Sequence, residues 1–579
     1  MCRFLLVLAC LPLLAQNPVA ELNSLYREYY EFRLREFPES ATSAGRTEYN
    51  GRWTDWSPAA AERRRASYRV FLERAGRHTT AALPAGERLN HRLFIDTLER
   101  ELSTFDLDSY YMAASHYGGV IRGVPSAFES APSRTVKDFE DRIARLEAAP
   151  ALMDGMIAAA QEGLRRKLLM PRRSVELAAG IYASQAESDL ARAPMLKAFR
   201  EMPASIPEAG RARLRVRAER AYRESYLPAW RKFAGYLRDT YSPATRTTLG
   251  MSGNYNGAEL YQALIREHTT TKLSAREIHE TGLREMERLQ KAMAEIRRST
   301  GFTGSAAEFE AKVLTAPGLR FHGEAEILAH GRDIAKRVDP LLPKLFRKLP
   351  RMPYGVEAIP QAVARTMAPH YRPPALDGSR AGYFFLRTVD PESQSRCCMA
   401  SLILHEAVPG HHLQVALARE MESVPDFRKM AGYTAYSEGW GLYAESLGDE
   451  LGVYGSPLER YGRYQTEIMR AARLVVDTGV HALGWTREQM IAAMQPAKGG
   501  WMNDDFIASE VDRYIAMPGQ ALAYKIGGLR IEALRRKAEQ ALGSRFDVRE
   551  FHDVVLRNGA LPLDILEEEV DNWIAAKGR

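Results

Sequence analysis

Residues 401–414 read SLILHEAVPGHHLQ, a stretch in which a His-Glu pair is followed by two further histidines. It begins like the motif His-Glu-x-x-His, in which two histidines one helical turn apart bind zinc and the glutamate activates water. Pro409 occupies the position of the second histidine. The ordinary motif is therefore interrupted, and the next histidines along the chain are His411 and His412.

The interruption decides which histidine joins His405. Each residue turns a helix by about 100°, so on a straight helix His411 points to a different side from His405. His412 returns to the same side but lies about 10 Å further along the axis. Pro409 removes a backbone donor and Gly410 supplies a flexible joint, which favours a break in the helix. We expect this break to bring His411 to a shared metal ion, with His412 as the alternative ligand or as a supporting residue beside it.

A second segment offers the third ligand that catalytic zinc sites need. Residues 434–445 read TAYSEGWGLYAE, and Glu438 and Glu445 lie on one face of a helix whose small residues permit close packing. Glu438 follows His411 by 27 residues, as ligands on two successive antiparallel helices do. The pattern predicts a zinc site formed by His405, His411 and Glu438, with Glu406 as general base. A capping role for Glu438 and a core cluster of histidines are the alternative.

The flanking sequence predicts a mainly α-helical protein with one small sheet. Up to about residue 241 the chain is rich in Ala, Arg, Glu and Leu, with apolar residues at helical spacing. Ser274 and Glu277 form a capping-box pattern that opens a long helix running toward Gly301. Residues 354–360 and 382–389 are short aromatic or β-branched segments bounded by Pro, Gly and Asp, which predicts two or three strands.

Length and composition limit the class of protein. A chain of 579 residues suggests two or three lobes, and the turn-rich segment near residue 250 predicts an N-terminal helical lobe (17–250) and a catalytic lobe (251–579). The 45% hydrophobic and 26% charged content excludes a disordered chain, a collagen-like repeat and a polytopic membrane protein. The net charge of +7 is spread without a dense basic block, so no nucleic-acid partner is expected.

Residues 1–16 are predicted to be a signal peptide. Arg3 is followed by about a dozen apolar residues ending at Ala15, the order found in secretory signals and too short for a transmembrane helix. We expect an exported protein, periplasmic or extracellular. Residues 7–10 loosely resemble a lipobox, so lipid anchoring at Cys10, and with it a membrane, is the alternative. If the signal peptide is removed after Ala15, the mature chain keeps only Cys397 and Cys398, which we expect to be free thiols.

The motifs at 405–414 and 438–445 together resemble the family catalogued as domain of unknown function 885, which is similar to zinc metallopeptidases of the gluzincin type. The resemblance implies a multi-helix, metallopeptidase-like fold with a small β-sheet beside the active site, and Zn²⁺ as the cofactor. It covers roughly residues 20–575. Further similar segments are residues 377–384, 473–481, 513–514, 518–527 and 551–563.

Peptide hydrolysis also needs a group that stabilises the oxyanion. Related gluzincins use Tyr or His there, and this chain offers Tyr524, His481 and Tyr514. Tyr524 is the first choice because it follows a Pro-Gly turn at a helix start. Arg473, Asp477 and His481 share one helix face. Asp477 is expected to hold a zinc-bound imidazole by its second N–H, or simply to pair with Arg473. Arg473 and Tyr514 are expected to contact substrate.

Arg380 and Tyr383 lie shortly before the metal-binding helix and are expected to contact substrate as well. If the strand that contains Tyr383 forms an edge of the cleft, its free backbone groups would bind an extended peptide by strand addition. Arg380 would then meet a substrate carboxylate. A structural ion pair is the alternative for Arg380.

These features predict an exported zinc-dependent hydrolase, a metallopeptidase that cleaves a peptide or small amide substrate by metal-activated water. A helical binding or scaffold protein with a degenerate metal site is the first alternative, favoured by the insertion before His411. A metal-dependent hydrolase of non-peptide amides or esters is the second. A serine hydrolase is disfavoured because the chain has no Gly-x-Ser-x-Gly motif. The sequence gives no oligomeric state.

Overall fold

The computed structural model describes residues 17–578 except 113, 317, 362–363, 365–366, 423 and 500–502. The predicted signal peptide, with Cys10, lies outside the described residues. Among those described, no helix combines the length and the apolar character needed to cross a bilayer. Cys397 and Cys398 are buried free thiols, as expected.

The described residues between 18 and 244 fold mainly into helices, as their periodicity predicts. Thr135 and Asp138 form a capping box that starts the helix expected at residue 136. Two π-helical turns, at 222–226 and 237–241, join the last three helices of this region into one continuous rod. The helices are α1 (Pro18–Glu36), α2 (Pro38–Ser43), α3 (Pro58–Gly76), α4 (Ala85–Asp106), α5 (Gly119–Ser130), α6 (Val136–Glu147), α7 (Ala149–Arg166), α8 (Arg172–Gln185), α9 (Lys197–Arg200), α10 (Glu208–Ala221), α11 (Leu227–Tyr236) and α12 (Ser242–Ala244).

The remaining chain is also mainly helical. The predicted Ser274–Glu277 capping box is present and starts a 25-residue helix. The helices are α13 (Gly257–Thr269), α14 (Ala275–Ser299), α15 (Ala306–Thr315), α16 (Glu324–Val338), α17 (Met399–Glu406), α18 (His411–Arg419), α19 (Asp426–Lys429), α20 (Thr434–Leu451), α21 (Pro457–Leu483), α22 (Arg487–Met494), α23 (Asp504–Ala516), α24 (Ala523–Leu542), α25 (Val548–Leu556) and α26 (Leu563–Gly578).

A three-stranded sheet lies between α16 and α17 in the chain, as predicted. Its strands are β1 (Tyr354–Ala358), β2 (His370–Arg372) and β3 (Gly382–Leu386), in the order β1-β3-β2. β1 and β3 are parallel, with Tyr354 opposite Gly382, whereas β2 and β3 are antiparallel. β3 is therefore the central strand and β2 is an edge.

Hydrophobic packing groups the described residues differently from the predicted division at residue 250. Residues 114–241 surround a core of their own that contains Trp230. Side chains of α1, α3 and α4 instead join the core that includes the sheet, α17, α20 and α24. Phe94 of α4, for example, packs against Phe427 with ring centroids 5.2 Å apart. Apolar residues of α1, α3 and α4 thus share one core with the helices that carry the predicted metal ligands.

The crossing of α20 and α24 depends on glycines. A Cβ on Gly527 would lie 1.9 Å from the carbonyl oxygen of Ala435, and a Cβ on Gly439 would lie 2.4 Å from the carbonyl carbon of Gly527. Both separations are far below van der Waals contact. The two helices therefore touch backbone to backbone, which fixes the position of Glu438 next to Gly439.

We expect Gly527→Ala to force these helices apart. Overpacking of this kind costs about 1–3 kcal/mol or more, so the midpoint of urea unfolding should fall clearly. Gly180→Ala is the matched control, because Gly180 is an exposed helical glycine with open space around its Cβ position. The control should unfold at an equal or slightly higher urea concentration. Equal midpoints for both variants would contradict the close crossing.

Candidate metal centre

The helix that carries His405 breaks immediately after Glu406, as the Pro-Gly pair predicts. α17 ends at Glu406, α18 begins at His411, and the Val408–Pro409 peptide bond is cis. Gly410 lies so close to the preceding helix that a Cβ there would be 1.9 Å from the carbonyl oxygen of His405. Only a glycine fits at this position. Because residue 410 is a glycine, the chain can fold back here and bring His411 next to His405.

The structure brings His405, His411 and Glu438 together. Nε2 of each histidine lies 3.4 Å from Oε2 of Glu438, and the three donor atoms all lie within 4.8 Å of one another. The two imidazole rings are nearly perpendicular, at 84°, with centroids 4.8 Å apart. Three donors from three helices thus point at one small volume.

The donor set fits a zinc ion. Oε2 of Glu438 is buried and has no hydrogen-bond partner among the described residues, although an orphaned buried carboxylate oxygen is costly. A cation between Oε2 and the two imidazole nitrogens would satisfy all three atoms. Two histidines and one glutamate are also a donor set of catalytic zinc sites that keep a further position open.

Glu445 orients His405. The Nδ1–H group of His405 donates to Oε1 of Glu445 at 2.8 Å, which leaves the Nε2 lone pair for a metal. Glu445 is 1% exposed and also accepts hydrogen bonds from the hydroxyls of Ser401 and Thr466. Burial by itself raises the pKa of Glu445, but Arg470 and His405 lower it to about 2. The carboxylate therefore stays charged and holds the imidazole in one tautomer.

The charges in the cluster suit metal capture. Burial opposes ionisation of Glu438, yet His405 and His411 hold its pKa well below the usual range. Burial also lowers the pKa of His405, but Glu438 and Glu445 outweigh this effect and raise it to about 9. Without metal, the cluster thus binds a proton on His405. A metal ion would replace that proton, so metal affinity should rise with pH.

Glu406 is placed beside the ligands without joining them. It lines a cavity of about 340 Å³ together with His405, His411, Glu438 and Tyr524. Glu406 is buried, and burial raises the pKa of its carboxyl group. A carboxylate whose pKa is raised toward neutrality is a suitable general base.

Tyr524 packs against His405. Its ring stacks on the His405 imidazole with centroids 6.3 Å apart and an angle of 20° between the planes. Nη2 of Arg513 lies 3.3 Å from the Tyr524 hydroxyl and donates to it. Tyr524 is only 9% exposed, and it lines the same cavity as the ligands. The hydroxyl can thus reach a molecule bound beside the metal position.

The chain matches a family described as "Bacterial protein of unknown function (DUF885)" over residues 38–570. It belongs to this family. No curated protein matches the chain.

Two solved structures resemble this DUF885 protein. One, described as a "putative lipoprotein" from Colwellia psychrerythraea, has a TM-score of 0.91 at 27% sequence identity and covers 97% of this chain and 100% of its own. The other, described as a "putative lipoprotein of unknown function" from Shewanella oneidensis, has a TM-score of 0.71 at 19% identity over 94% and 98% of the two chains. The second likeness is one of fold alone.

His412 does not reach the cluster in this DUF885 fold. Its Nε2–H donates to the carbonyl of Met352 at 3.0 Å, and its Nδ1 accepts from the Tyr371 hydroxyl at 2.9 Å. Burial lowers the pKa of His412 to about 4, so the ring stays neutral. Since both nitrogens are occupied, the geometry favours His411 over His412 as the ligand. His412 instead holds Tyr371 in the cavity wall.

His481 and Asp477 lie elsewhere, contrary to expectation. His481 is fully buried, accepts from the amide of Met251 and donates to the carbonyl of Tyr514. Asp477 accepts from the Tyr261 hydroxyl and the Gly519 amide. Neither residue lines the cavity. Of the three residues predicted to share a helix face, Arg473 lines the cavity, whereas Asp477 and His481 point into the core. Glu445 makes the contact to His405 that was expected of Asp477.

The residues expected to contact substrate divide into two groups. Arg473 lines the cavity and pairs with Glu510 rather than with Asp477. Tyr514 lies behind it, where its hydroxyl donates to Glu510 at 2.7 Å. The other two expected residues, Arg380 and Tyr383, are not among the residues that line the cavity.

Arg380 donates to the carbonyl of Pro373, and the Tyr383 ring contacts Gly355 and Arg372. The strand that contains Tyr383 is β3, which is paired on both sides, so it has no free edge for a peptide. The edge strand beside the cavity is β2, whose residues His370 and Tyr371 line it.

Sequence reasoning also missed several residues of the site. Glu445 was visible only as a carboxylate seven residues after Glu438 on the same helix face. Arg470 and Glu510 carry no motif, and each has an ion-pair partner on another helix, Glu445 for Arg470 and Arg473 for Glu510. Tyr117 and Arg122 line the cavity from a region almost 300 residues earlier in the chain. No local pattern indicates such a contact.

Glu445→Gln should weaken metal binding, because a neutral amide holds His405 less firmly and no longer balances Arg470. Loss of such a supporting partner typically costs about 10–100-fold in metal affinity. Glu450→Gln is the matched control on the same helix. Glu450 pairs with Arg535 at a distance of 2.6 Å, and this pair is not part of the cluster. Competition with a zinc chelator measures both affinities. If the two variants bind zinc equally well, the role of Glu445 is wrong.

Proposed function

We propose that this protein is a zinc-dependent hydrolase, a gluzincin-like metallopeptidase that cleaves peptide bonds with activated water. One observation carries the proposal. Oε2 of Glu438 is buried, has no hydrogen-bond partner among the described residues, and lies 3.4 Å from Nε2 of both His405 and His411. This oxygen and the two imidazole nitrogens are close enough to share one cation, and no other side chain among the described residues donates to it.

Glu406 would act as the general base and acid. When bound, zinc polarises a carbonyl group and lowers the pKa of water to about 7. Glu406, next to the ligand His405 and facing the cavity, takes the proton from the attacking water. Its raised pKa lets it hold that proton and then donate it to the leaving amine.

Tyr524 would stabilise the oxyanion. Arg513 donates to the Tyr524 hydroxyl oxygen, so the hydroxyl hydrogen is free to donate to the substrate carbonyl. The stack against His405 fixes the ring at one distance from the cluster. A preorganised donor of this kind needs no rearrangement during the reaction.

The edge strand β2 supports a peptide as the substrate rather than another amide or ester. His370 and Tyr371 of β2 line the cavity, and β3 occupies only one side of this strand. An extended peptide can add to such an edge by main-chain hydrogen bonds. The insertion before His411 favoured a degenerate site, whereas the fold-back at Gly410, which returns His411 to His405, supports an intact one.

We also propose that the protein is exported. The charged and then apolar residues 1–16 support this location, and both similar structures are described as "putative lipoprotein". Acylation at Cys10 would anchor the protein to a membrane.

Glu406→Gln should separate chemistry from metal binding. The variant keeps size and should retain one zinc per chain, but it should lose about 10²–10⁴-fold or more in turnover because the amide cannot accept a proton. Glu438→Gln should lose zinc as well as turnover. Mass spectrometry measures the zinc content of each variant, and hydrolysis of a peptide mixture measures its turnover.

The outcomes separate the parts of the proposal. Wild-type activity in Glu406→Gln contradicts the general base. Zinc content that is unchanged in Glu438→Gln contradicts the ligand set.

A further inference from the structure

We propose that Arg122, Arg473 and Arg513 form a subsite that binds the free C-terminal carboxylate of a short peptide. The inference rests on the proposed function, because it assigns the substrate class of the same cavity. It means that the enzyme removes one or two residues from the carboxyl end of its substrate.

Two tyrosines connect the three arginines along one wall of the cavity. The guanidinium carbons of Arg122 and Arg513 lie 3.8 and 5.1 Å from the Tyr117 ring centroid. Arg513 also donates to the Tyr524 hydroxyl, and the Arg473 guanidinium lies 4.4 Å from the Tyr524 ring centroid. All five side chains line the cavity that contains the metal cluster.

Only two of the three arginines pair with a carboxylate of the described residues, and they share it. Glu510 accepts from Nη2 of Arg473 at 2.9 Å and from Nη1 of Arg513 at 3.3 Å. Arg122 makes no ion pair with any residue that the structure describes. Arg473 and Arg513 are only 4% and 8% exposed.

Nη1 of Arg473 and Nε of Arg513 are buried and have no hydrogen-bond partner among the described residues. Guanidinium groups remain charged when buried, so this wall has a surplus of positive charge and unused donors. An anion bound there would balance them.

The position of the wall relative to the metal cluster indicates which part of a substrate it binds. The Tyr524 ring is close to both, with the Arg473 guanidinium carbon at 4.4 Å and the His405 ring centroid at 6.3 Å from its own centroid. An extended peptide advances about 3.3–3.6 Å per residue. A carboxylate held by the arginines therefore belongs to the first or second residue beyond the bond that is cleaved.

The size of the cavity favours a chain end over an acidic side chain within a long peptide. Its volume is about 340 Å³, at the small end of ligand pockets. Tyr117 and Arg122 come from the N-terminal region and line the cavity together with residues of α21, α23 and α24. A substrate that reaches the arginines therefore enters a small pocket lined by side chains from both the N-terminal region and the later helices.

The test compares three sets of N-acetylated tripeptides: free acids, the same peptides as C-terminal amides, and amides with Glu at the last position. Binding is measured by calorimetry on the full-length Glu406→Gln chain in zinc-containing buffer, and cleavage is measured on the wild-type chain by mass spectrometry. We expect the free acids to bind at least about tenfold more tightly than the amides, as expected for charge-assisted hydrogen bonds.

Arg122→Gln and Arg513→Gln, each placed in the binding protein, should abolish this preference. Arg192→Gln, which alters an exposed pair with Glu187 outside the cavity, should keep it. Arg122 is less buried than Arg513, so Arg122→Gln decides the question if Arg513→Gln fails to fold. Equal binding of acids and amides, or a preference that survives in Arg122→Gln, overturns the subsite. Tight binding of the Glu amides overturns the C-terminal assignment in favour of a side-chain carboxylate.

The binding and cleavage measurements distinguish a failure of this inference from a failure of the proposed function. If wild-type protein cleaves acids and amides equally, the hydrolase stands and the subsite fails. If acids bind preferentially but no peptide is cleaved and no zinc is retained, the subsite stands and the hydrolase fails.

Discussion

The hydrogen bond from Nδ1 of His405 to Glu445 is the interaction on which the candidate site depends. It selects the tautomer whose Nε2 faces Glu438 and His411, and it does so inside the protein, where an unpaired carboxylate would be expensive. The hydroxyls of Ser401 and Thr466 also donate hydrogen bonds to the Glu445 carboxylate, and Arg470 forms an ion pair with it. Three helices, α17, α20 and α21, are thus joined by one buried polar network that ends at the proposed metal position.

Close helix contacts allow that network to form. A Cβ on Gly441 would lie 2.7 Å from Cε1 of His405, so α20 can approach the imidazole only with glycine at this position. Gly527 and Gly439 do the same for α20 and α24, and Gly410 does so for the fold-back after α17. Because each of these glycines has no side chain, a neighbouring helix or side chain can approach its backbone closely. The ligands then sit on helices rather than on loops, where their positions are better defined.

The sequence predicted much of this arrangement, for reasons that are local. Helical periodicity, the Ser274 capping box and the β-branched segments indicated the elements, and the Pro409-Gly410 pair indicated the break that returns His411. The seven-residue spacing of Glu438 and Glu445 placed both on one face. Each of these signals depends on neighbours within a few turns of the chain.

Contacts between distant segments could not be predicted in this way. The face shared by Arg473, Asp477 and His481 was recognised, but periodicity does not say whether a face meets the cleft or the core. Tyr117 and Arg122 reach the cavity only because the N-terminal helices pack over it. Likewise, β3 was recognised as a strand, whereas its central position depends on pairing with both β1 and β2.

The most direct test of the metal centre is a crystal structure of the purified protein with anomalous diffraction data on both sides of the zinc absorption edge. A single zinc peak should lie about 2.0–2.2 Å from Nε2 of His405, Nε2 of His411 and an oxygen of Glu438. Nδ1 of His405 should remain bonded to Glu445. A zinc-loaded crystal whose peak lies elsewhere, or whose ion is bound without Glu438, would contradict the proposed centre.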